Sequence, residues 1–270
     1  MRKLLALAFV FGLAACAPTG DSLKQKAAML AGQAGMQEAQ AQGGEFTFQL
    51  FERIKDPVAP VRIYIEGDGN AWLTRGQVSP DPTPLDPTAL RLAVLDSAPN
   101  VAYMARACQY VRSPACAPKY WSGSQFSESM IDSVNQAMNH WKGHKIELVG
   151  FSGGAAVALL VAARRDDVIS IRTVAGNVDT TAFTTLHGIS PLADSLNPAL
   201  YAQHTALVPQ LHFVGDKDTT VPRSIADGYQ SQLPSVNCSA VDVVEGVTHY
   251  TGWPEQWPTL LAWKLPCGAQ

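Results

Sequence analysis

The segment Gly-Phe-Ser-Gly-Gly at positions 150–154 constrains the fold more than any other feature of this sequence. A strand-like apolar run at 145–149 precedes it, and an alanine-rich helical run at 155–165 follows it. A strand that turns directly into a helix tolerates only small residues around the turn, because a Cβ there would collide with the neighbouring strand or helix. Ser152 would then stand at the amino end of the helix, where the helix dipole favours developing negative charge. The segment therefore predicts a reactive serine on a strand–turn–helix unit.

Segments of strand and helix type alternate along the rest of the chain. The predicted strands cover 46–54, 61–65, 101–104, 145–149, 169–175, 211–214 and 241–244, and the predicted helices cover 88–96, 127–141, 155–165 and 254–263. Strands that are separated by helices form a mostly parallel sheet with helices on both faces. We therefore predict one α/β domain over residues 45–270. The segment 177–209 is long and irregular for a connection, which indicates a short lid or a wall of a binding site. Together with the loop 110–126, it is expected to provide most of the wall of the substrate pocket.

Two aspartates follow the predicted strand 211–214, in the sequence Gly-Asp-Lys-Asp-Thr-Thr-Val-Pro at 215–222. This sequence resembles the acid loop of the α/β-hydrolases, with its pattern Gly-x-x-Asp-x-x-Val-Pro. In that fold an acid and then a histidine follow the nucleophilic serine along the chain. The resemblance assigns the acid to Asp218. Asp216 is the alternative, and its other role would be to cap the turn with side-chain hydrogen bonds.

His249 is the only histidine of six that lies C-terminal to Asp218. It falls between the last predicted strand and the last predicted helix, where the α/β-hydrolases have their catalytic base. Ser152, Asp218 and His249 are therefore predicted to form a catalytic triad. Among the remaining histidines, His212 is expected to pack within a strand. His140 and His144 flank a predicted helix end, and His187 and His204 lie in the irregular segment 177–209.

A serine hydrolase also needs two backbone N–H groups that bind the oxyanion. One is expected from Gly153, directly after the serine. The other is expected from Asp68, in the loop Glu-Gly-Asp-Gly-Asn at 66–70 after the strand 61–65. Related enzymes often have His-Gly-x-Gly in this loop, so Glu66 is a departure that adds negative charge beside an anion site. Either the carboxylates point away from the site or they recognise a polar or cationic group of the substrate.

Four further segments resemble a group of exported bacterial α/β-hydrolases. They are Gly-Asp-Gly-Asn-Ala-Trp at 67–72, Asp-Pro-Thr-Pro at 81–84, Ala-Arg-Ala-Cys-Gln-Tyr at 105–110 and Tyr-Trp-Ser at 120–122. The resemblance extends over most of the chain after residue 46 and implies the α/β-hydrolase fold, but it implies no particular substrate. The triad chemistry needs no metal and no organic cofactor.

The first residues predict export. Residues 2 and 3 are basic, and an apolar run at 4–15 matches a secretory signal peptide while being too short to span a bilayer. The run ends in Leu-Ala-Ala-Cys, which resembles the lipobox of bacterial lipoproteins and predicts lipidation of Cys16. Alanine rather than aspartate at position 17 favours the outer membrane, with the protein facing the periplasm. Residues 16–44, rich in Ala, Gln and Gly, are interpreted as a tether with a partly helical stretch near 23–30.

The cysteine count agrees with export. Apart from Cys16, the chain has four cysteines, and an even number in an oxidising compartment suggests two disulfides. Sequence alone permits three pairings. We favour Cys108–Cys116, a short local loop, and Cys238–Cys267, which would tie the C-terminal helix to the last strand. No cysteine or histidine spacing typical of a metal site is present.

The predicted function is hydrolysis of an ester or thioester of a small acyl substrate through an acyl-enzyme intermediate. A formal net charge of −3 argues against nucleic acid as a partner. The expected contact with a membrane is the lipid anchor at Cys16. Two alternatives stay open: an inactive hydrolase-fold lipoprotein that binds a ligand, and an acyltransferase of the cell envelope. The sequence gives no indication of the oligomeric state.

Overall fold

The computed structural model describes residues 20–267 of the 270-residue chain. Its strands are β1 Gln37–Gly43, β2 Phe46–Ile54, β3 Val61–Ile65, β4 Trp72–Thr74, β5 Gln77–Val78, β6 Asn100–Met104, β7 Ile146–Phe151, β8 Val168–Val174, β9 Gln210–Gly215 and β10 Ser239–Val244. Its α-helices are α1 Gly20–Gln33, α2 Thr88–Ala93, α3 Glu128–Ala137, α4 Gly153–Ala162, α5 Thr180–His187, α6 Ala202–Thr205, α7 Arg223–Gln230 and α8 Trp253–Leu261. Short 3₁₀ helices cover Pro118–Trp121, Met138–Trp141 and Pro198–Tyr201. The predicted signal peptide and Cys16 lie outside the described residues.

Within residues 20–267, eight strands form one sheet in the order β1-β2-β6-β3-β7-β8-β9-β10. β2 pairs antiparallel with both β1 and β6. The six strands β6, β3, β7, β8, β9 and β10 are parallel to one another. The carboxyl ends of parallel strands lie along one edge of the sheet, so the loops after β3, β7, β9 and β10 meet there. This arrangement confirms the predicted α/β class and brings together all the loops that were assigned site residues.

The sheet has a hydrophobic core on each face. Side chains of a strand alternate between the two faces, and in β7 Ile146 and Leu148 join one core while Val149 and Phe151 join the other. α4 is buried along its whole length on the first face, which explains why its sequence is apolar on every side. α2 and α8 cover the second face, where Trp257 of α8 packs edge-on against Tyr64 of β3. Both faces are covered, as the sequence predicts.

Residues 16–44 were predicted to be a tether with a partly helical stretch near 23–30. The helical stretch lies within α1, but residues 20–43 are part of the domain and not a tether. Leu23, Ala27 and Ala31 of α1 are buried in the core on the second face. β1 pairs along its full length with β2 at the edge of the sheet. Small side chains suffice here because an edge strand and a closely packed helix need little apolar volume. Composition alone therefore underestimated how far the domain extends.

The described residues contain both favoured disulfides. Cys108–Cys116 closes a local loop with a sequence separation of 8, and Cys238–Cys267 joins the start of β10 to the segment after α8 with a separation of 29. Both predicted pairings are therefore confirmed. Among residues 20–267, none of the helices has the length and apolar character that crossing a bilayer requires.

Candidate active site

Ser152 occupies the sharp turn between β7 and α4. Its φ of 50° and ψ of −120° lie in a region that non-glycine residues rarely adopt, and such strain is typical of functional turns. A Cβ on Gly150 would contact the backbone of Ala155, and one on Gly154 would meet the carbonyl oxygen of Ile65. The close approach of β3 and α4 to the turn therefore explains the small residues of the motif, as the sequence predicts.

The structure brings the three predicted triad residues into one hydrogen-bonded chain. His249 Nε2 lies 3.0 Å from Ser152 Oγ, and His249 Nδ1 lies 2.8 Å from Asp218 Oδ2. Histidine between a hydroxyl and a carboxylate can accept the hydroxyl proton while the carboxylate holds its ring in one tautomer. The side chains of His249 and Asp218 are 4% and 0% exposed, so water does not compete for this contact.

The loop after β9 fixes the orientation of Asp218. Its Oδ1 accepts hydrogen bonds from the backbone N–H groups of Thr220 and Val221, both at 2.8 Å, which leaves Oδ2 for His249. Asp216, the alternative acid, is exposed, and its Oδ1 accepts a hydrogen bond from the N–H of Val247 at 3.1 Å. The geometry thus places Asp218 at the histidine and gives Asp216 the turn-capping role.

Aromatic side chains hold the loop that presents His249. Its carbonyl oxygen accepts a hydrogen bond from Trp253 Nε1 at 3.1 Å, at the start of α8. Its ring packs against Phe151 and Tyr250, with ring centroids 5.4 Å and 4.6 Å away. Phe151 and Tyr250 therefore border the histidine, a position that the sequence did not indicate for either residue.

The loop predicted to supply the second oxyanion donor lies directly against the turn. A Cβ on Gly67 would be 3.3 Å from Ser152 Cβ, and a Cβ on Gly153 would contact the carboxylate of Asp68. Among the hydrogen bonds of residues 20–267, none uses the backbone N–H of Gly153 or of Asp68. Both N–H groups are therefore without a hydrogen-bond partner within the described part of the chain.

The two carboxylates of this loop have different surroundings. Asp68 Oδ1 forms an ion pair at 3.2 Å with Arg106, whose side chain is 8% exposed and also donates to the carbonyl of Gln125. Arg106 therefore compensates the negative charge that Asp68 brings near the anion site. Arg106 lies in a segment that resembles exported bacterial α/β-hydrolases, but the sequence indicates no role for this residue. Its partner lies 38 residues away, and only the fold shows the contact.

Glu66 is buried beneath the loop rather than directed at the solvent. Its Oε1 accepts hydrogen bonds from the N–H of Gly67 at 2.9 Å and of Ala89 at 3.4 Å, which tie the loop to α2. Burial raises the pKa of Glu66 to about 7, and these backbone hydrogen bonds oppose the shift. The hydroxyl of Tyr103 adjoins the carboxyl from β6. Glu66 therefore supports the backbone of the loop from within.

A cleft of about 440 Å³ opens above Ser152 and His249. Most of its wall comes from the segment between β3 and α2, through residues such as Asn70, Trp72 and Leu85. The prediction that 177–209 and 110–126 provide most of the wall is wrong. The segment 177–209 contributes only Asn177 and Phe183, and the loop 110–126 contributes no lining residue.

The other histidines lie outside this cleft. His212 is buried in β9, where its Nδ1 is 2.9 Å from Thr173 Oγ1 and burial lowers its pKa to about 4. His212 is therefore a packed strand residue, as the sequence predicts. Within the described part of the chain, His, Cys, Asp and Glu side chains form no group of three or more that could bind a metal ion.

Comparison with known proteins supports the same chemistry. A family described as serine hydrolase (FSH1) matches residues 108–236, a range that includes Ser152 and Asp218 but not His249 or Asp68. No curated protein matches the sequence.

Solved structures show the same fold at low sequence identity. An α/β serine hydrolase homologue from Coxiella burnetii has a TM-score of 0.53 at 17% identity, over 83% of this chain and 93% of that one. Est1E from Butyrivibrio proteoclasticus has a TM-score of 0.59 at 13% identity, over 83% and 97% of the two chains. The Pyrococcus furiosus esterase Pf2001 has a TM-score of 0.59 at 11% identity, over 85% and 92%. These similarities establish the fold that the sequence resemblance implied.

Proposed function

We propose that this chain, an α/β-hydrolase, cleaves carboxylic esters through Ser152, His249 and Asp218. The observation that carries the proposal is the continuous hydrogen-bonded chain from Ser152 Oγ through His249 to Asp218, at the base of an open cleft. The serine hydrolase family match and the esterase among the structural neighbours support hydrolysis over mere ligand binding.

The mechanism follows from the positions of these groups. His249 accepts the Ser152 proton as Oγ attacks the acyl carbonyl, and Asp218 stabilises the imidazolium that forms. The N–H groups of Gly153 and Asp68 bind the oxyanion of the tetrahedral intermediate. The imidazolium then donates its proton to the departing alcohol, which leaves an acyl-Ser152 ester. Water attacks this ester with His249 as base, releasing the acid and restoring the serine.

The oxyanion donors account for a substantial part of the expected rate. Removal of one such donor lowers the rate by about 10²–10³ in other hydrolases. Here Asp68 presents its N–H while its carboxylate is paired with Arg106, so the negative charge of the loop is partly neutralised. Thioesters would react through the same steps, since the thiol is a better leaving group than the alcohol.

Kinetics with p-nitrophenyl esters of increasing acyl length test the proposal. We expect Ser152→Ala and His249→Ala to lower kcat by about 10⁴-fold or more, as removal of a triad member does elsewhere. Asp218→Asn is expected to lower kcat by a similar factor because it leaves the ring in the wrong tautomer. Asp216→Asn is the matched control, since its side chain contacts the turn but not His249. Equal activity of Ser152→Ala and the native chain would refute the proposal, and a folded native chain without any ester hydrolysis would favour a binding protein.

We further propose that the protein is exported and lipidated at Cys16, in the outer membrane facing the periplasm. The lipobox-like sequence ending at Cys16 supports this, and the two disulfides agree with an oxidising compartment. Metabolic labelling with palmitate tests it: the native chain should incorporate the label and Cys16→Ala should not. Equal labelling of both would contradict the proposal.

A further inference from the structure

A small hairpin next to the candidate active site exposes apolar side chains on both of its faces. β4 and β5 form this two-stranded hairpin, with Arg75 and Gly76 at its tip. Trp72 is 47% exposed and Leu73 is 50% exposed. Successive residues of a strand point to opposite faces, so each face of the hairpin carries an apolar side chain that is about half exposed. Exposed apolar groups that cluster in this way typically mark a binding surface.

The same apolar surface continues around the mouth of the cleft. Leu85 and Tyr250 are 61% and 59% exposed, and both line the cleft together with Trp72. We call Trp72, Leu73, Leu85 and Tyr250 the apolar rim. Because three of its four members also line the cleft, a surface that covered the rim would lie directly over the opening to Ser152.

The hairpin has a fixed position. Ser79 N–H donates to the carbonyl of Ala71 at 2.9 Å, and Asn70 N–H donates to the carbonyl of Pro82 at 3.0 Å, which close the base of the hairpin. Trp121 Nε1 donates to the carbonyl of Ser79 at 2.9 Å and joins this base to the domain. The exposure of Trp72 and Leu73 therefore comes from the fold and not from a loose loop.

The predicted anchor would leave the domain beside this hairpin. α1 begins at Gly20, where an added Cβ would lie 2.8 Å from Asp81 Oδ2. Asp81 is bonded to the hairpin base, since its N–H and its carbonyl both contact Ser79 Oγ. Cys16 precedes Gly20 by four residues, a length that spans at most about 14 Å. A lipid on Cys16 would thus hold the membrane within reach of the apolar rim.

We propose that the apolar rim docks on the lipid bilayer and that the substrates of Ser152 are esters of lipids in that bilayer. This inference depends on the ester hydrolysis proposed above, and it adds the class of substrate. Trp and Tyr side chains favour the membrane interface, where their rings meet acyl chains and their polar atoms meet water. Arg75 at the hairpin tip suits the headgroup layer, and the exposed Asp86 is paired with Arg91 at 2.8 Å, so docking buries no lone carboxylate there.

The test uses the lipidated full chain in phosphatidylcholine vesicles with two substrates, a long-chain diacylglycerol in the bilayer and water-soluble p-nitrophenyl butyrate. Leu73→Asp is the informative variant, because Leu73 belongs to the rim but does not line the cleft. Val58→Asp is its matched control: Val58 is 87% exposed and precedes β3, at the opposite edge of the sheet.

We expect Leu73→Asp to lower diacylglycerol hydrolysis by about tenfold while butyrate hydrolysis stays unchanged, because the charge opposes insertion of the rim. Val58→Asp should change neither rate. Equal loss of diacylglycerol hydrolysis in both variants, or no loss in either, would overturn the inference. A native chain that hydrolyses butyrate but not diacylglycerol would overturn the substrate class while leaving the proposed function intact.

Fluorescence tests the docking independently of catalysis. In vesicles of dibrominated phosphatidylcholine, bromine quenches tryptophans that insert between the lipids. We expect the tryptophan fluorescence of the native chain to be quenched more than that of Trp72→Phe, and the difference is the quenching of Trp72. If both chains are quenched equally, the rim does not dock, even where butyrate hydrolysis shows that Ser152 is active.

Discussion

Replacement of Glu66 by glutamine should alter how the stability of the protein depends on pH. The side chain is 2% exposed, and its Oε1 accepts the N–H of Gly67 at 2.9 Å. Glutamine retains an oxygen at this position and removes the ionisable group. The hydrogen bonds that the carboxylate accepts do not offset the loss of hydration on burial, so the ionised form is poorly compensated. The native chain therefore folds with least penalty while Glu66 is protonated.

The size of the effect follows from the pKa of Glu66, which burial raises from 4.5 to about 7. Below pH 4.5 the carboxyl is protonated in both the folded and the unfolded chain, so it contributes no penalty. Between pH 4.5 and about 7 the unfolded chain loses the proton first, and folding becomes progressively less favourable. This interval corresponds to about 3 kcal/mol of unfolding free energy, which stays lost at higher pH.

Urea denaturation followed by tryptophan fluorescence at about pH 4 and about pH 8 measures the effect. We expect Glu66→Gln to gain stability relative to the native chain on going to the higher pH, by on the order of 3 kcal/mol. Glu45→Gln is the control, because Glu45 is exposed in the turn between β1 and β2. If both variants show the same pH dependence relative to the native chain, Glu66 does not ionise in a buried site, and the reasoning is refuted.

Three other predictions concern packing, cross-links and a buried histidine. Gly154→Ala should destabilise the fold by about 1–3 kcal/mol, because its Cβ would meet the carbonyl oxygen of Ile65; the shift in Tm measures this. Replacing the Cys238–Cys267 pair by serines should cost about 3–4 kcal/mol, against about 2.5 kcal/mol for Cys108–Cys116, since the loop of 29 residues exceeds that of 8. Denaturation of the two double variants would contradict the loop-length argument if the shorter loop contributed more. Burial lowers the pKa of His212 from 6.5 to about 4, so the native chain should lose stability as the pH falls through this interval. His212→Gln should show a smaller loss in acid denaturation, and an equal loss would be contrary to this account.

The sequence predicted those parts of the site that depend on short segments in order along the chain. Ser152 lies in a local strand–turn–helix unit, and the acid and the histidine follow later strands whose carboxyl ends share one edge of the sheet. The choice between Asp218 and Asp216 needed the structure, because both lie on the same short turn.

Features that depend on distant contacts were not predicted. Arg106 pairs with Asp68 across 38 residues, and no local pattern indicates this contact. The cleft wall was assigned to irregular segments by length alone, whereas the fold places the segment after β3 there. The strand β1 and the packing of α1 into the core were missed because their small residues carry a weak apolar signal, and their stability comes from neighbours that only the folded chain supplies.

The central claim is that His249 and Asp218 activate Ser152, and labelling by a fluorophosphonate tests it most directly. Such a probe phosphonylates an activated serine, and intact mass followed by peptide mapping locates the adduct. We predict a single adduct on Ser152 in the native chain and in Asp216→Asn, and none in Ser152→Ala or His249→Ala. The absence of an adduct on the folded native chain, or an adduct that persists in His249→Ala at the native rate, would contradict the account.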